Sequence, residues 1–158
     1  MRVDWRYSLV GPALLALSLI AGFSAHALAA EYIEGNERQK SRAYSPAAIT
    51  EGGRIVWLAG QTGGRDDQGQ DLSGNFEAQA RQIFHAIDQT LQRAGGSLAN
   101  LVTMTVFIND PRYGDAFVAL RGAFFPDGNY PASAMISVSH FARPGILIEI
   151  QGVAVIGG

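Results

Sequence analysis

The sequence predicts a two-layer α+β domain, a mixed sheet with two helices on one face. Three observations lead there. Apolar residues alternate between strand and helix spacing in the order β-β-α-β-α-β-β. Strands outnumber helices. Each helix has one apolar side, so both can pack on the same face of the sheet.

The first segment stands apart from this pattern. Arg2 and Arg6 precede an uncharged run from Leu9 to Phe23, and the small residues Ala27-Leu28-Ala29-Ala30 follow. A charged start, an apolar centre of ~15 residues and an A-x-A pattern match a secretory signal peptide. The alternative, an uncleaved anchor helix, wants about 20 apolar residues, and Pro12 shortens the run further. Residues 1–30 are therefore expected to be removed near Ala29 or Ala30. Residues 31–158 would then form one periplasmic or secreted domain with no second membrane span.

Within that domain, Glu31 to Arg42 is polar and expected to be extended. Ala47–Thr50 and Arg54–Ala59 flank Glu51-Gly52-Gly53, the pattern of a β-hairpin. Gly60 to Asn75 has no periodicity and is expected to be a long loop. Phe76, Ala80, Ile83, Phe84, Ile87, Leu91 and Ala94 recur at helical spacing, with Ser73 or Asn75 available as a cap and Gly95-Gly96 as a stop. Leu101 to Ile108 alternates as a strand with β-branched residues on both faces. Asp110-Pro111 opens a second helix that carries Phe117, Leu120 and Phe124 on one side and ends at Asp127-Gly128. Ala132–Val138 and Ile146–Val155 are the closing strands, joined by a loop that holds His140, Arg143 and Pro144.

Composition narrows the chemistry. Hydrophobic residues make up 47% and charged residues 16% of the 158, which excludes a disordered chain. The net charge of −2 offers no basic excess to hold a phosphate backbone, so nucleic acid is not expected as a partner. The absence of cysteine removes disulfides, thiolate nucleophiles and cysteine-based metal sites. No phosphate-binding loop, dinucleotide fingerprint or H-E-x-x-H motif is present.

A few residues remain as candidates. Glu149 sits inside Ile146-Leu147-Ile148-Glu149-Ile150, the most apolar strand after the first segment. Desolvation there favours the protonated acid and suits proton transfer near neutral pH. A partner arginine across a subunit contact is an equal alternative. Ala59-Gly60-Gln61-Thr62-Gly63 closes a strand, and a glycine there either lets a ligand approach the backbone or makes a plain turn. His85 lies three residues before Asp88 on a helix, as a surface pair or an acid–base pair. His140 is expected to be a solvated loop residue.

Several segments together resemble the Rid family (YjgF/RidA, reactive intermediate deaminases). They are Tyr44-Ser45-Pro46-Ala47-Ala48, Val56-Trp57-Leu58-Ala59-Gly60-Gln61, Thr103 to Asp110, Pro131-Ala132-Ser133, and Ile148 to Val155. The resemblance runs from about Arg42 to Val155. It implies a chorismate-mutase-like fold and a homotrimer with small-molecule clefts between subunits. It also implies hydrolysis of imine or enamine intermediates to a carbonyl product and ammonia, without metal or cofactor. On the same basis Glu149 matches the acid that handles the attacking water. Tyr44, Ala59 and Gly60 match residues lining the cleft.

One departure matters. Deaminating members carry an arginine after Pro-Ala that clamps the substrate carboxylate, and Ser133 stands there instead. Serine cannot form the bidentate, charge-assisted pair. Met135 likewise replaces a common cysteine. Arg143 is a substitute clamp if its loop reaches the cleft, and a surface arginine beside Pro144-Gly145 otherwise. Two functions follow as expectations: a small-molecule hydrolase, or a non-catalytic ligand-binding trimer of the same fold. Ribonuclease or translation-inhibitor activity, also attached to the family name, fits neither export nor the acidic balance.

Overall fold

The computed structural model describes residues 30–157. The predicted signal peptide lies almost entirely outside the described residues. The elements are β1 (Glu31–Tyr32), α1 (Glu37–Ser41), β2 (Ala48–Ile49), β3 (Arg54–Thr62), α2 (Phe76–Arg93), β4 (Leu101–Ile108), α3 (Gly114–Phe124), β5 (Ala132–Ser137) and β6 (Ile148–Ile156). Short 3₁₀ turns at Leu98–Asn100 and Pro111–Tyr113 precede β4 and α3.

The main sheet has the order β3-β6-β4-β5. It is mixed: β6 runs antiparallel to β3 and β4, while β5 is parallel to β4. The α+β class, the mixed sheet and the helices on one face agree with the sequence expectation.

Alternation puts Met104, Val106 and Ile108 of β4 and Ile148 and Ile150 of β6 on the helix side, all at most 2% exposed. They meet Ile83, Phe84, Ile87 and Leu91 of α2 and Phe117 and Leu120 of α3. Phe84 stacks on Phe124 at 4.5 Å between ring centroids and on Phe117 at 6.0 Å. Burying each such side chain contributes about 1.5–3 kcal/mol, and this layer is what holds the chain folded without a disulfide. The α2 helix starts at Asn75, whose side chain accepts from the Ala78 N–H at 3.1 Å.

Two expectations need correction. The predicted hairpin does not form: β2 pairs with β1, and β3 pairs with β6. Gly53 shows why. Its φ is +77°, and a Cβ there would lie 2.0 Å from the Gly157 carbonyl. The glycines thus let the start of β3 close onto the end of β6, and they do not turn β2 back on its neighbour. The segment 31–42 is also not simply extended. It holds β1 and the five-residue α1, closed by a capping box between Asn36 and Gln39. No residue of α1 is buried, so no apolar period announced it.

The small β1-β2 sheet covers one end of the far face of the main sheet, where Ala30 and Tyr32 pack on Val102 and Val155. The rest of that face is open, with Trp57 77% and Ile55 58% exposed.

Candidate active site

The first group of site residues lies on the open face. Ile148 and Ile150 point into the core, so Glu149 between them points the other way. Its backbone is level with Thr62 on β3 and Phe107 on β4. The β3–β6 ladder slips between Leu58 and Gln61, which leaves Ala59 and Gly60 outside the register. Such bulges expose backbone groups and re-aim neighbouring side chains. Here the Glu149 carboxylate rests on Gly60. A Cβ at residue 60 would stand 2.0 Å from Oε1, so only glycine leaves room. Glu149 is half-buried and, among the described residues, has no hydrogen-bond or ion-pair partner. A half-buried carboxylate beside an exposed, unladdered backbone segment can accept a proton from water while backbone groups hold the reacting molecule.

The entry of β6, and with it Glu149, is positioned by a residue that sequence reasoning passed over. Gln79 is fully buried on α2. Its Nε2 donates to the carbonyls of Leu72 at 2.9 Å and Gly145 at 2.7 Å, and its Oε1 accepts from the Leu147 N–H at 2.9 Å. One amide thus fastens the 63–75 loop and the turn before β6 to the helix. That loop starts three residues later than expected from the sequence, after β3 ends at Thr62. A polar residue among Phe76, Ala80 and Ile83 was the available signal.

The second group lies at the β5 edge, on the helix side. Ser133 is level with Met104, a core residue, and so faces the helices. Ser45 bridges to Ala132, which brings Tyr44 beside this strand. Tyr44, Ser45, Lys40 and Tyr130 line a cleft of about 450 Å³. The arginine that reaches Ser133 is Arg121 of α3: Nη1 donates to Ser133 Oγ at 2.7 Å. Burial, followed by the nearby charge of Arg42, pushes the Arg121 guanidinium down to about 10. Arg143 is exposed in the turn before β6. Met135 shares the Ser133 face, with its methyl near Gly114 at the start of α3.

Thus the Glu149 carboxylate lies over Gly60 beside Ala59, and Tyr44 and Ser133 both border Arg121, but Glu149 and Ser133 point to opposite faces of the sheet. The histidines belong to neither. His85 Nε2 lies 2.9 Å from Asp67 Oδ2, so the predicted His85–Asp88 pair is not formed. Asp88 instead accepts from the Leu98 N–H at 2.7 Å and ties α2 to the next turn. His140 is exposed in the loop after β5. Among the described residues no cluster of His, Cys, Asp or Glu could hold a metal ion.

Residues 35–156 match the family model described as Endoribonuclease L-PSP, the YjgF/RidA family. The chain belongs to that family. It is 30% identical to a human 2-iminobutanoate/2-iminopropanoate deaminase over 72% of this chain and 80% of that protein. It is 35% identical to a RutC family protein of Synechocystis over 52% of this chain, an alignment that spans only 63% of that relative. Among solved structures it is similar to a Yersinia pestis protein of unknown function of the conserved Rid protein family. That likeness has a TM-score of 0.72 and 26% identity, and covers 81% of this chain and 99% of the other. The resemblance drawn from Tyr44, Gly60, the β4 segment and the closing strand is therefore borne out at the level of family and fold.

Proposed function

We propose that the chain is a Rid-type hydrolase that converts an imine or enamine to a carbonyl compound and ammonia. The observation that carries this is the half-buried Glu149 carboxylate lying over the exposed Gly60 backbone. The human relative, named a 2-iminobutanoate/2-iminopropanoate deaminase, supports an imine-deaminase role for the family. Water adds through oxygen to the imine carbon while Glu149 takes its proton, and the nitrogen gains a proton. The carbinolamine then collapses: the C–N bond breaks, ammonia leaves and the C=O bond forms. The sum is one imine and one water giving one carbonyl and one ammonia. Gly60 and Ala59 would hold the reacting end, with Tyr44, Ser133 and Arg143 toward the rest of the ligand.

Because the two groups of residues lie on opposite faces of one sheet, a site that uses both is completed by a neighbouring copy. We place it at the subunit contacts of a homotrimer exported without residues 1–30. Mass spectrometry of exported material is expected to show a new N-terminus near Ala30. The second function, a ligand-binding trimer without catalysis, is favoured by Ser133 standing where deaminating members carry arginine.

An ammonia-release assay on the mature protein with freshly generated 2-iminopropanoate separates the two. Ammonia release above the uncatalysed rate, abolished in a folded Glu149→Gln variant, is the expected result. No acceleration with any imine tried, alongside measurable ligand binding, would leave the binding function standing. Undiminished release by Glu149→Gln would remove Glu149 from the mechanism.

A further inference from the structure

Arg121 has the surroundings of an ion-pair half whose partner comes from outside. It lies on the apolar face of α3, four residues after Phe117, and is 3% exposed. Its guanidinium sits 5.3 Å from the Phe117 ring centroid and 6.0 Å from that of Tyr44. Nη1 holds Ser133 Oγ, Nη2 donates to the Arg42 carbonyl, and Nε has no partner. Among the described residues no carboxylate lies within ion-pair distance of it. The nearby charged side chain is a cation, Arg42, itself paired with Asp115. A cation taken out of water and given only neutral acceptors is costly to keep. That cost is offset when an anion binds close by.

The route to such an anion is Ser133. A hydroxyl has two acceptor lone pairs and one hydrogen to donate. With the guanidinium occupying a lone pair, the Ser133 hydrogen is left to point away from Arg121. Ser133 is half-buried where Arg121 is 3% exposed, so of the two residues the serine lies nearer to solvent.

We propose that Arg121 is the carboxylate-selecting residue of this site. It orients the Ser133 hydroxyl toward a ligand carboxylate and sets a positive charge behind it. An arginine on α3 thereby acts through serine where the family resemblance assigns an arginine on β5. The ligand class is a small 2-imino acid and its 2-oxo acid product. Arg121 is a positioning residue, since it reaches the ligand through Ser133. The proposal rests on the hydrolase function above for its kinetic arm, and on binding alone for the other arm.

The experiment compares the wild type with Arg121→Met, Arg121→Lys and Ser133→Ala in two assays. The first is kcat/KM on 2-iminopropanoate, which has a carboxylate, against acetophenone imine, which does not. The second is the Kd for 2-oxobutanoate, followed by ligand-observed NMR. Arg121→Met is expected to weaken 2-oxobutanoate binding about ten- to a hundredfold. It should lower the kinetic preference for the carboxylate substrate over acetophenone imine by a similar factor, mainly through KM. Arg121→Lys should keep part of the preference. Ser133→Ala, which leaves the buried cation in place, should lose it. If Arg121→Met does not fold, Ser133→Ala and Arg121→Lys decide the matter by the same criteria. Equal losses on both imines, or an unchanged 2-oxobutanoate Kd in folded variants, would overturn the proposal. A wild type that binds 2-oxobutanoate through Arg121 yet releases no ammonia sinks the hydrolase function and leaves this inference standing.

Discussion

Single residues separate what this chain does from what holds it together. Gly60 is the clearest case. Its exclusion of a side chain comes from the Glu149 carboxylate and not from backbone strain, because its φ is not positive. Gly60→Ala should therefore displace a flexible carboxylate and leave the fold nearly intact. A shift of about 1 Å at a reacting group can cost on the order of 100-fold in rate. The expected outcome is a large loss of ammonia release with a melting temperature close to wild type, checked by calorimetry and the assay on one sample. Arg121 predicts a different behaviour. Its pKa is pushed down to about 10, so folding disfavours the charged form. The destabilisation is present at neutral pH and is relieved as pH rises through about 10, where the folded state gives up a proton that the unfolded state retains. Wild type should gain stability relative to Arg121→Met between about pH 9 and 11. Arg42, Tyr44 and Tyr130 are the charged or titratable groups that face Arg121, and all three are present in both proteins. Denaturant melts of both proteins across that range test this, and a constant or shrinking difference would be the contrary result.

Elements differ in how much of them the sequence disclosed, for physical reasons. The α2 helix and strands β4 and β6 are legible because their apolar residues recur with one period over many positions and meet one core. The facing of Glu149 follows from that period alone. The β1 strand and α1 are too short to carry a period. The Gly52-Gly53 signal marks a sharp backbone feature but not which strand the chain then joins. Arg121 escaped notice because a charged residue within a helix is ordinarily solvated, and only the packing of Phe117, Tyr44 and Ser133 around it shows otherwise. Gln79 escaped for the same reason, and its role belongs to the element scale. It fastens the 63–75 loop and the turn at Gly145 to α2, so replacing it should loosen two segments at once. Gln79→Leu keeps similar volume but strands the buried N–H of Leu147 and two carbonyls. A loss of about 2–3 kcal/mol is expected, or on the order of 10 °C in melting temperature for a domain of this size. Amide exchange should accelerate at Leu147 before it does at Val106 in the core. Uniform acceleration across the chain would argue against a local latch.

At the scale of the whole molecule, the surface of one subunit is incomplete in two respects. Its open sheet face exposes Trp57 (77%) and Ile55 (58%) on one edge strand and Ile136 (46%) on the other. Its candidate site is split, with Glu149 and Gly60 on that face and Ser133 and Tyr44 on the other. The proposed homotrimer would address both, because a neighbour that covers part of the open face would bring its β5 edge toward Glu149. The proposed homotrimer should therefore give about three times the subunit mass in light scattering at micromolar concentration, a single species expected of closed cyclic symmetry. The residues after position 30 contain one tryptophan, Trp57, since the other is Trp5. Intrinsic fluorescence consequently reports on this face alone. It should shift to shorter wavelength as the trimer forms and return on dilution below the dissociation midpoint. Trp57→Glu places a charge in the contact and should yield folded monomers that release no ammonia, with the two losses occurring together. A wild type that stays monomeric at high concentration while hydrolysing imines would show instead that each subunit carries a complete site.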